Sequence, residues 1–304
     1  MTALPALVAR ALPYRMPQIA LLLTTLVWGA TFPATKAVLE QVPPLSFLFA
    51  RFLLGTTLML AGLRAAGRIP RRDQTIVRLS LIATVWLFLG YTLQTVGLGY
   101  TSASNSAFIT ALYVVFVPLI LRRFSGRVWV AASVAIVGLW LLVKPTASIN
   151  LGDVLTLACA AAFAAHIACL ERFTRVADPA SLFVWQMIFV TTAMMPVAMI
   201  EAPPLDAFRP TTVLLVGLGV TGVLATGAFA VQMWAQRLLP AHQVALLFSL
   251  EPAYAAWLAW YFLGETLDAQ GWVGSGLIFG AVLIGSSAAE TPHPEHSLGT
   301  AQAG

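Results

Sequence analysis

Charged residues are scarce in this chain: Asp, Glu, Lys and Arg make up only 10% of its 304 residues. Soluble globular domains carry about 25% charged residues, because a water-exposed surface needs them. Hydrophobic residues instead reach 59% of the chain, and the mean hydropathy is +0.86. This composition excludes a water-soluble enzyme or binding domain and indicates an integral membrane protein.

Cysteine is equally rare, and the motifs of common enzyme classes are missing. Cys159 and Cys169 lie ten residues apart on one predicted helix, which separates them by about 15 Å and prevents a disulfide between them. The sequence contains no GxxxxGK(S/T) nucleotide loop, no HExxH metal motif, no GxSxG nucleophile motif and no CxxC pair. We therefore expect no enzymatic activity, no cofactor and no bound metal.

Long runs without Asp, Glu, Lys or Arg mark the membrane-spanning helices. A helix needs about 20 mostly apolar residues to cross a hydrocarbon core of roughly 30 Å. With Pro, Gly and Arg as boundaries, the sequence predicts an all-α integral membrane protein with ten transmembrane helices, here called spans 1 to 10. Their approximate ranges are 17–38, 46–66, 76–99, 102–122, 128–145, 151–172, 180–200, 211–236, 240–262 and 270–288.

The distribution of Lys and Arg predicts the orientation of these spans. With the N-terminus inside, all but four of the 17 basic residues fall in the N-terminal segment or in the connections after spans 2, 4, 6 and 8. Cytoplasmic loops carry the excess of Lys and Arg, so both termini are predicted to lie on the cytoplasmic side of a bacterial cytoplasmic membrane. The basic residues are scattered between apolar runs, which argues against a nucleic-acid partner. Residues 289–304 are polar and are expected to form a disordered cytoplasmic tail.

The chain repeats itself at a nearly constant offset. Aligned pairs are Pro44 with Pro179 and Ser46 with Ser181 at an offset of 135, and Gln94 with Gln232 and Leu112 with Leu250 at an offset of 138. The series predicts two five-helix repeats, residues 1–145 and residues 146–288. Because five is odd, the second repeat enters the membrane from the opposite side. Such inverted repeats are an architecture of transporters.

Four segments carry a resemblance to a known family. They are WGATFPATK (28–36), PLSFLFARF (44–52), TSASNSAFITALYVVFVP (101–118) and ALLFSLEPAYAAWLAWYFLGETL (245–267). By these segments the chain resembles the drug/metabolite transporter superfamily, in particular its ten-helix EamA-type members. The aromatic amino acid exporters of the YddG kind are the subgroup to which it is most similar. One departure is RRFSGRV (122–128), which lacks the LGE element (263–265) that ends the last segment.

The resemblance implies solute transport, often export, through a central cavity between the two halves. Relatives handle amino acids, nucleosides, drugs and sugar derivatives. We therefore expect a secondary transporter that exports amino acids, aromatic ones in particular, by alternating access. The alternatives are a drug or nucleoside efflux carrier and a channel-like facilitator. Its partners would be a small solute and membrane lipids, and it would be a monomer or a homodimer.

Polar side chains at helical spacing on spans 1, 3, 4, 6, 8 and 9 are candidates for lining that cavity, because polar groups in a bilayer need partners or water. The candidates for solute binding are Trp28, Thr31, Arg51, Tyr91, Gln94, Asn105, Tyr113, His166, Gln232, Trp234 and Glu251. The competing interpretation is that the Ser, Thr and amide groups among these stripes only hold neighbouring helices together.

Glu251 is the most informative candidate, because it is the only carboxylate predicted near the middle of the membrane. A carboxylate at that depth costs a few kcal/mol or more, so it is a functional candidate by default. It could bind a solute ammonium or carry a proton, with Arg51 or Asn105 near the solute carboxylate and His166 as a second proton site. Alternatively, it is tied to Tyr113, Arg51 or a serine in the core.

Overall fold

The chain is helical throughout the part that a computed structural model describes, residues 4–143, 150–263 and 268–286. The helices are α1 (Leu4–Val38), α2 (Pro44–Ala65), α3 (Gln74–Tyr100), α4 (Ala103–Ala111), α5 (Tyr113–Ile120), α6 (Gly126–Val143), α7 (Leu151–Val176), α8 (Pro179–Glu201), α9 (Thr212–Leu218), α10 (Ala225–Gln236), α11 (Ala241–Phe248), α12 (Glu251–Leu263) and α13 (Ala269–Ser286). A 3₁₀ turn occupies Leu205–Phe208, and a π-helix, Gly219–Leu224, joins α9 to α10.

Seven helical stretches in this part of the chain are long and apolar enough to cross a membrane. They are Met16–Val38, Pro44–Ala65, Gln74–Tyr100, Ala103–Ile120, Leu151–Val176, Pro179–Glu201 and Thr212–Gln236. Gly126–Leu142 and Ala269–Gly285 are shorter apolar helices. The helix α1 begins at Leu4, well before the predicted start at residue 17, because residues 4–15 are rich in Ala, Leu and Arg, which favour helix.

Two spans that the sequence predicted as continuous are broken near their middle. Span 4 is divided into α4 and α5 at Leu112, and span 9 is divided into α11 and α12 at Ser249 and Leu250. Leu112 and Leu250 are aligned residues of the repeat. Pro252 contributes to the second break, because its missing N–H cannot bond the carbonyl of Phe248, one turn earlier. The two breaks therefore fall at equivalent positions of the two halves.

Polar residues immediately before several helices determine where those helices begin. Asp73 accepts a hydrogen bond from the backbone N–H of Ile76, and Ser102 accepts one from Asn105. Asn150 and Asp153 form a reciprocal capping box at the start of α7. Each cap satisfies backbone N–H groups that have no partner inside the helix. These short polar signals sit at the ends of α3, α4 and α7, where the chain must turn back into the bundle.

Glycine allows the closest helix contacts. A Cβ built on Gly138 of α6 would lie 2.7 Å from the carbonyl oxygen of Gly274 in α13, and one on Gly274 would lie 2.5 Å from the carbonyl oxygen of Gly138. Gly97 of α3 and Gly152 of α7 form a similar contact. Small residues let transmembrane helices approach at backbone distance. The pairs α6–α13 and α3–α7 are accordingly the most extensive helix contacts in the described chain.

Candidate functional site

A cavity of about 510 Å³, counting all space between atoms and the part open to solvent, lies among the central helices. Its lining residues come from α1, α3, α4, α5, α7, α10, α11 and α12, which make up the six spans that the sequence predicted. Its polar lining consists of Trp28, Thr31, Tyr91, Gln94, Thr110, Tyr113, His166, Gln232 and Glu251. Eight of the eleven predicted site residues are thus brought together, and Arg51, Asn105 and Trp234 are not.

Glu251 is the only carboxylate among the lining residues, and its side chain is 6% exposed. It is the first residue of α12, where unpaired backbone N–H groups and the helix dipole favour a negative charge. Its carboxyl group lies near the Tyr113 side chain, but no hydrogen bond of acceptable geometry joins the two groups. The backbone of α1 approaches that of α12 closely at Gly29, because a Cβ on this residue would lie 2.8 Å from the Glu251 carbonyl oxygen. The break in span 9 therefore places a carboxyl group at a helix N-terminus inside the cavity.

Two donors in the cavity lack a hydrogen-bond acceptor within the described chain. They are the indole Nε1 of Trp28 and the hydroxyl of Tyr113, both buried and without a bond of acceptable geometry. A buried polar group left unpaired costs about 1–3 kcal/mol. Such a cost in a polar cavity indicates that a solute or water completes these donors when the site is filled.

The two glutamines of the repeat lie on the cavity wall with different partners. Gln94 Nε2 donates to Thr110 Oγ1 over 3.3 Å. Gln232 Nε2 donates to Gln236 Oε1 over 2.9 Å, and Gln236 in turn donates to the carbonyl oxygen of Ile167. An amide also carries an acceptor oxygen, so each of these glutamines has the groups to donate to a solute and to accept from it.

His166 reaches the cavity but is held by a neighbouring amide. Its Nε2 lies 2.9 Å from Gln186 Oε1, an arrangement in which Nε2 donates. Gln186 is fully buried and was not predicted as a site residue, although it aligns with Arg51 in the repeat. The Phe229 ring lies 5.7 Å from the imidazole, centroid to centroid.

Aromatic side chains complete the lining, and they follow a pattern that the predicted site missed. Phe163, Phe229 and Phe248 each precede a polar lining residue by three positions, as Trp28 and Tyr91 also do. Residues three apart lie on one face of a helix, which applies to each of these pairs except Phe248 and Glu251, because the break in span 9 lies between them. An aromatic residue followed by a polar residue three positions later is therefore the sequence signal that could have identified these aromatic lining residues. The polar groups consequently face a space walled by aromatic rings.

Arg51 lies one layer behind the cavity wall. Its guanidinium carbon is 4.5 Å from the centroid of the Tyr91 ring and 5.0 Å from that of Phe52, so the cation is stabilised by ring faces. The side chain is 4% exposed, and its Nε has no hydrogen-bond partner in the described chain. Arg51 can influence the site electrostatically through Tyr91 without lining it.

Asn105 and Trp234 lie away from the cavity for identifiable reasons. Asn105 Nδ2 donates to Asp153 Oδ1 over 2.8 Å and to Thr101 Oγ1 over 3.3 Å, which fastens the start of α4 to the start of α7. Trp234 is 44% exposed, because two residues beyond Gln232 the helix has turned by about 200°. Trp234 therefore lies on the outer surface of the bundle.

Lys36 has a structural role outside the cavity lining. Its Nζ donates to the carbonyl oxygens of Leu98 over 2.6 Å and Thr101 over 2.9 Å at the end of α3. A cation at that place satisfies carbonyl groups left unpaired by the helix and complements its dipole. Among the residues described, no cluster of three or more His, Cys, Asp or Glu side chains could hold a metal ion.

Known proteins with similar sequences are transporters. An uncharacterized transporter of Archaeoglobus fulgidus is 32% identical over 270 residues, covering 87% of this chain and 83% of that protein. The threonine/homoserine exporter RhtA of Salmonella typhimurium is 29% identical over 273 residues, covering 85% of this chain and 87% of that protein. A protein of known crystal structure shares the fold, with a TM-score of 0.71 at 16% identity over 91% of this chain and 97% of that one.

The family assignment covers nearly the whole described chain. Residues 15–144 and residues 150–287 each match the EamA-like transporter family. The apolar helices and the polar cavity among them are those of a multi-pass membrane protein that handles a small solute. The chain belongs to the EamA-like transporter family.

Proposed function

We propose that this transporter exports neutral amino acids across the bacterial cytoplasmic membrane by alternating access, with aromatic amino acids favoured. The observation that carries the proposal is the placement of Glu251 in the same cavity as the free donors of Trp28 and Tyr113. A zwitterionic amino acid needs an anion for its ammonium group and donors for its carboxylate. Glu251 would meet the ammonium group, and the indole and phenol donors would meet the carboxylate.

The aromatic walls support a preference among amino acids. Seven aromatic residues line the cavity: Trp28, Phe32, Tyr91, Tyr113, Phe163, Phe229 and Phe248. Rings at such walls favour a planar side chain through offset or edge-to-face contacts. The named relative that exports threonine and homoserine supports amino acid export in general, and small hydroxylated amino acids are accordingly the second substrate class to be tested.

Ten transmembrane spans in two inverted repeats are part of the same proposal, with α11 and α12 together forming span 9. In the two repeats, α3 corresponds to the α9–α10 stretch, and α7 corresponds to α1. If α3 contacts α7, the symmetry therefore requires that α1 contact the α9–α10 stretch, and both contacts are present. The same symmetry maps α2–α8 and α6–α13 onto themselves, and both pairs are also in contact. The matched breaks at Leu112 and Leu250 add support. Reporter fusions that place the C-terminus outside would contradict this topology.

Alternating access requires that each end of the cavity open and close. At the predicted outer end, Lys36 bonds the carbonyl groups of the turn between α3 and α4. At the predicted cytoplasmic end, Glu171 of α7 accepts hydrogen bonds from Arg123 over 2.6 Å and from the backbone N–H of Ala241 over 3.1 Å. Lys36 and Glu171 thus hold corresponding turns of the two repeats, and we propose that they close opposite ends of the pathway.

Reconstitution into proteoliposomes tests the proposal. Vesicles preloaded with unlabelled phenylalanine, tryptophan, threonine or a nucleoside are mixed with the labelled compound, and counterflow is measured. We expect saturable counterflow of labelled amino acid, greatest for the aromatic ones, with the solute recovered unchanged. Counterflow of nucleosides alone would contradict the substrate assignment. Non-saturable flux without counterflow would indicate a channel-like facilitator.

A further inference from the structure

A second cavity lies at the ends of α5 and α7, and its lining is strongly basic. It has about 700 Å³ of empty volume including its open side, and Ile120, Leu121, Arg122, Arg123, Glu171, Arg172 and Arg175 line it. Four arginines and one glutamate leave an excess of positive charge. The lining residues come from the end of α5, the connection after it and the end of α7, which the basic residues assign to the cytoplasmic side.

The single glutamate of this cavity is already neutralised. Glu171 Oε1 accepts from Arg123 Nη2 over 2.6 Å and from Arg175 Nη2 over 3.2 Å, and its Oε2 accepts from the backbone N–H of Ala241. Arg123 also contacts His242 Nδ1 through Nη1. Two of the four arginines are therefore engaged, and the carboxylate has no capacity left to neutralise the others.

Arg122 and Arg172 are the uncompensated cations. Neither guanidinium group forms a hydrogen bond or an ion pair with any residue in the described ranges, and both residues are exposed at the cavity. Positive-inside bias alone accounts for arginines scattered over a loop surface, but it does not account for two free guanidinium groups converging on one concave site. Arginine presents a planar fork of donors that matches phosphate oxygens in two-bond geometry.

The backbone at Arg122 is the second observation. Arg122 adopts φ 51°, in the left-handed region, directly after α5. The bonds from Arg122 N to Leu119 O and from Arg123 N to Pro118 O are those of a Schellman motif, in which this position is usually glycine. A side chain here is strained, so an arginine at this position is disfavoured by the local fold alone.

The surroundings of the cavity are apolar and face outward. Ile120 is 47% exposed, and Phe124, which is 69% exposed, stacks on Trp129 with an interplanar angle of 5°. Aromatic residues at this level are typical of the membrane–water interface. A ligand with a phosphate and acyl chains would place its phosphate against the arginines and its chains along this apolar surface.

We propose that this cavity binds the phosphate of an anionic phospholipid through Arg122 and Arg172. Basic pockets at the cytoplasmic ends of transmembrane helices bind anionic headgroups in this way. The bound phosphate would lie beside Glu171 and Arg123, so the headgroup would also contact the residues that close the cytoplasmic end of the pathway. The lipid would thereby link membrane composition to the closed state.

The test uses the full chain in detergent, with native mass spectrometry and thermal unfolding at increasing concentrations of phosphatidylglycerol or phosphatidylcholine. We expect wild type to bind phosphatidylglycerol in preference. Arg122→Gln combined with Arg172→Gln is expected to weaken that binding about 30-fold, since two cations are removed. Arg64→Gln combined with Arg68→Gln is the matched control, because it removes two exposed cytoplasmic charges elsewhere and should leave binding unchanged.

Arg122→Gly separates binding from folding. Glycine suits the left-handed backbone, so this variant should unfold at the same temperature as wild type or higher while binding phosphatidylglycerol about 5-fold more weakly. Unchanged lipid binding in Arg122→Gly, or equal losses in the double variant and its control, would overturn the proposal. Displacement of the lipid by inorganic phosphate at equal concentration would also overturn the lipid proposal and would indicate a site for soluble phosphates.

Discussion

Glu251→Gln removes the one carboxylate of the central cavity while keeping its size and an acceptor oxygen. If Glu251 binds the solute ammonium, the variant leaves that ammonium without its counter-charge at a residue that is only 6% exposed. Removing one partner of a buried hydrogen-bonded charge pair costs about 2–5 kcal/mol. The amide oxygen retains part of the interaction, so we expect a loss of about 2–3 kcal/mol, or a rise of about 30- to 160-fold in the half-saturating concentration.

Counterflow in proteoliposomes measures this loss, and a solute lacking the amine shows its origin. Wild type should transport phenylalanine far better than 3-phenylpropanoate, which has no ammonium group. The Glu251→Gln variant should transport both poorly and with little difference between them. Glu40→Gln is the matched control, because Glu40 is an exposed carboxylate outside the cavity and its variant should behave as wild type.

The same variant tests proton coupling. If Glu251 carries the coupled proton, the pH dependence of wild-type transport should disappear in Glu251→Gln, while unfolding temperature stays close to that of wild type. Wild-type flux at every pH, together with retained discrimination against 3-phenylpropanoate, would refute the role of Glu251 both in ammonium binding and in coupling. Glu251 would then be a structural residue at the start of α12.

Three further predictions concern binding, packing and closure. Tyr113→Phe removes a buried hydroxyl without a partner, so unfolding temperature should hold or rise while counterflow affinity falls about 5-fold. Gly138→Leu should destabilise the protein by about 3 kcal/mol in thermal unfolding, because α6 touches α13 at this residue. Gly276→Leu should not destabilise it, because a Cβ built on Gly276 has no atom within 4 Å. Glu171→Gln should increase the labelling rate of a cysteine at the cytoplasmic mouth of the cavity about 5-fold, because the ion pair between Glu171 and the half-exposed Arg123 contributes about 1 kcal/mol. An unchanged labelling rate would mean that this ion pair does not close the pathway.

Much of the helical architecture was predictable, because apolar length and helix-capping residues act locally. The break in span 4 was not, since neither Pro nor Gly occurs at Leu112. Gln94 and Gln232 lie on cavity-lining faces of their helices, as polar spacing predicts for them. Trp234 does not, because it lies two residues beyond Gln232 and faces the outer surface of the bundle.

Side-chain partners were the least predictable feature. Nothing in the sequence around Lys36 indicates that its ammonium group reaches the end of α3, because the contact joins residues 62 and 65 positions apart. Gln186 was missed for the same reason, since its role comes from His166, twenty residues earlier on another helix. Such partners depend on how helices pack, and local periodicity carries no information about that.

The π-helix at Gly219–Leu224 determines which side of α10 faces the solute. An α-helix turns by about 100° per residue, and a π-helix accommodates an additional residue in its turn. Rewinding this segment as a regular α-helix, with the same number of residues, would rotate everything beyond it by about 100°. Phe229 and Gln232 would then leave the cavity, whereas deleting the one additional residue would keep both on the cavity face. The choice between π-helix and α-helix at Gly219–Leu224 therefore controls which side chains reach the solute, without any substitution in the site.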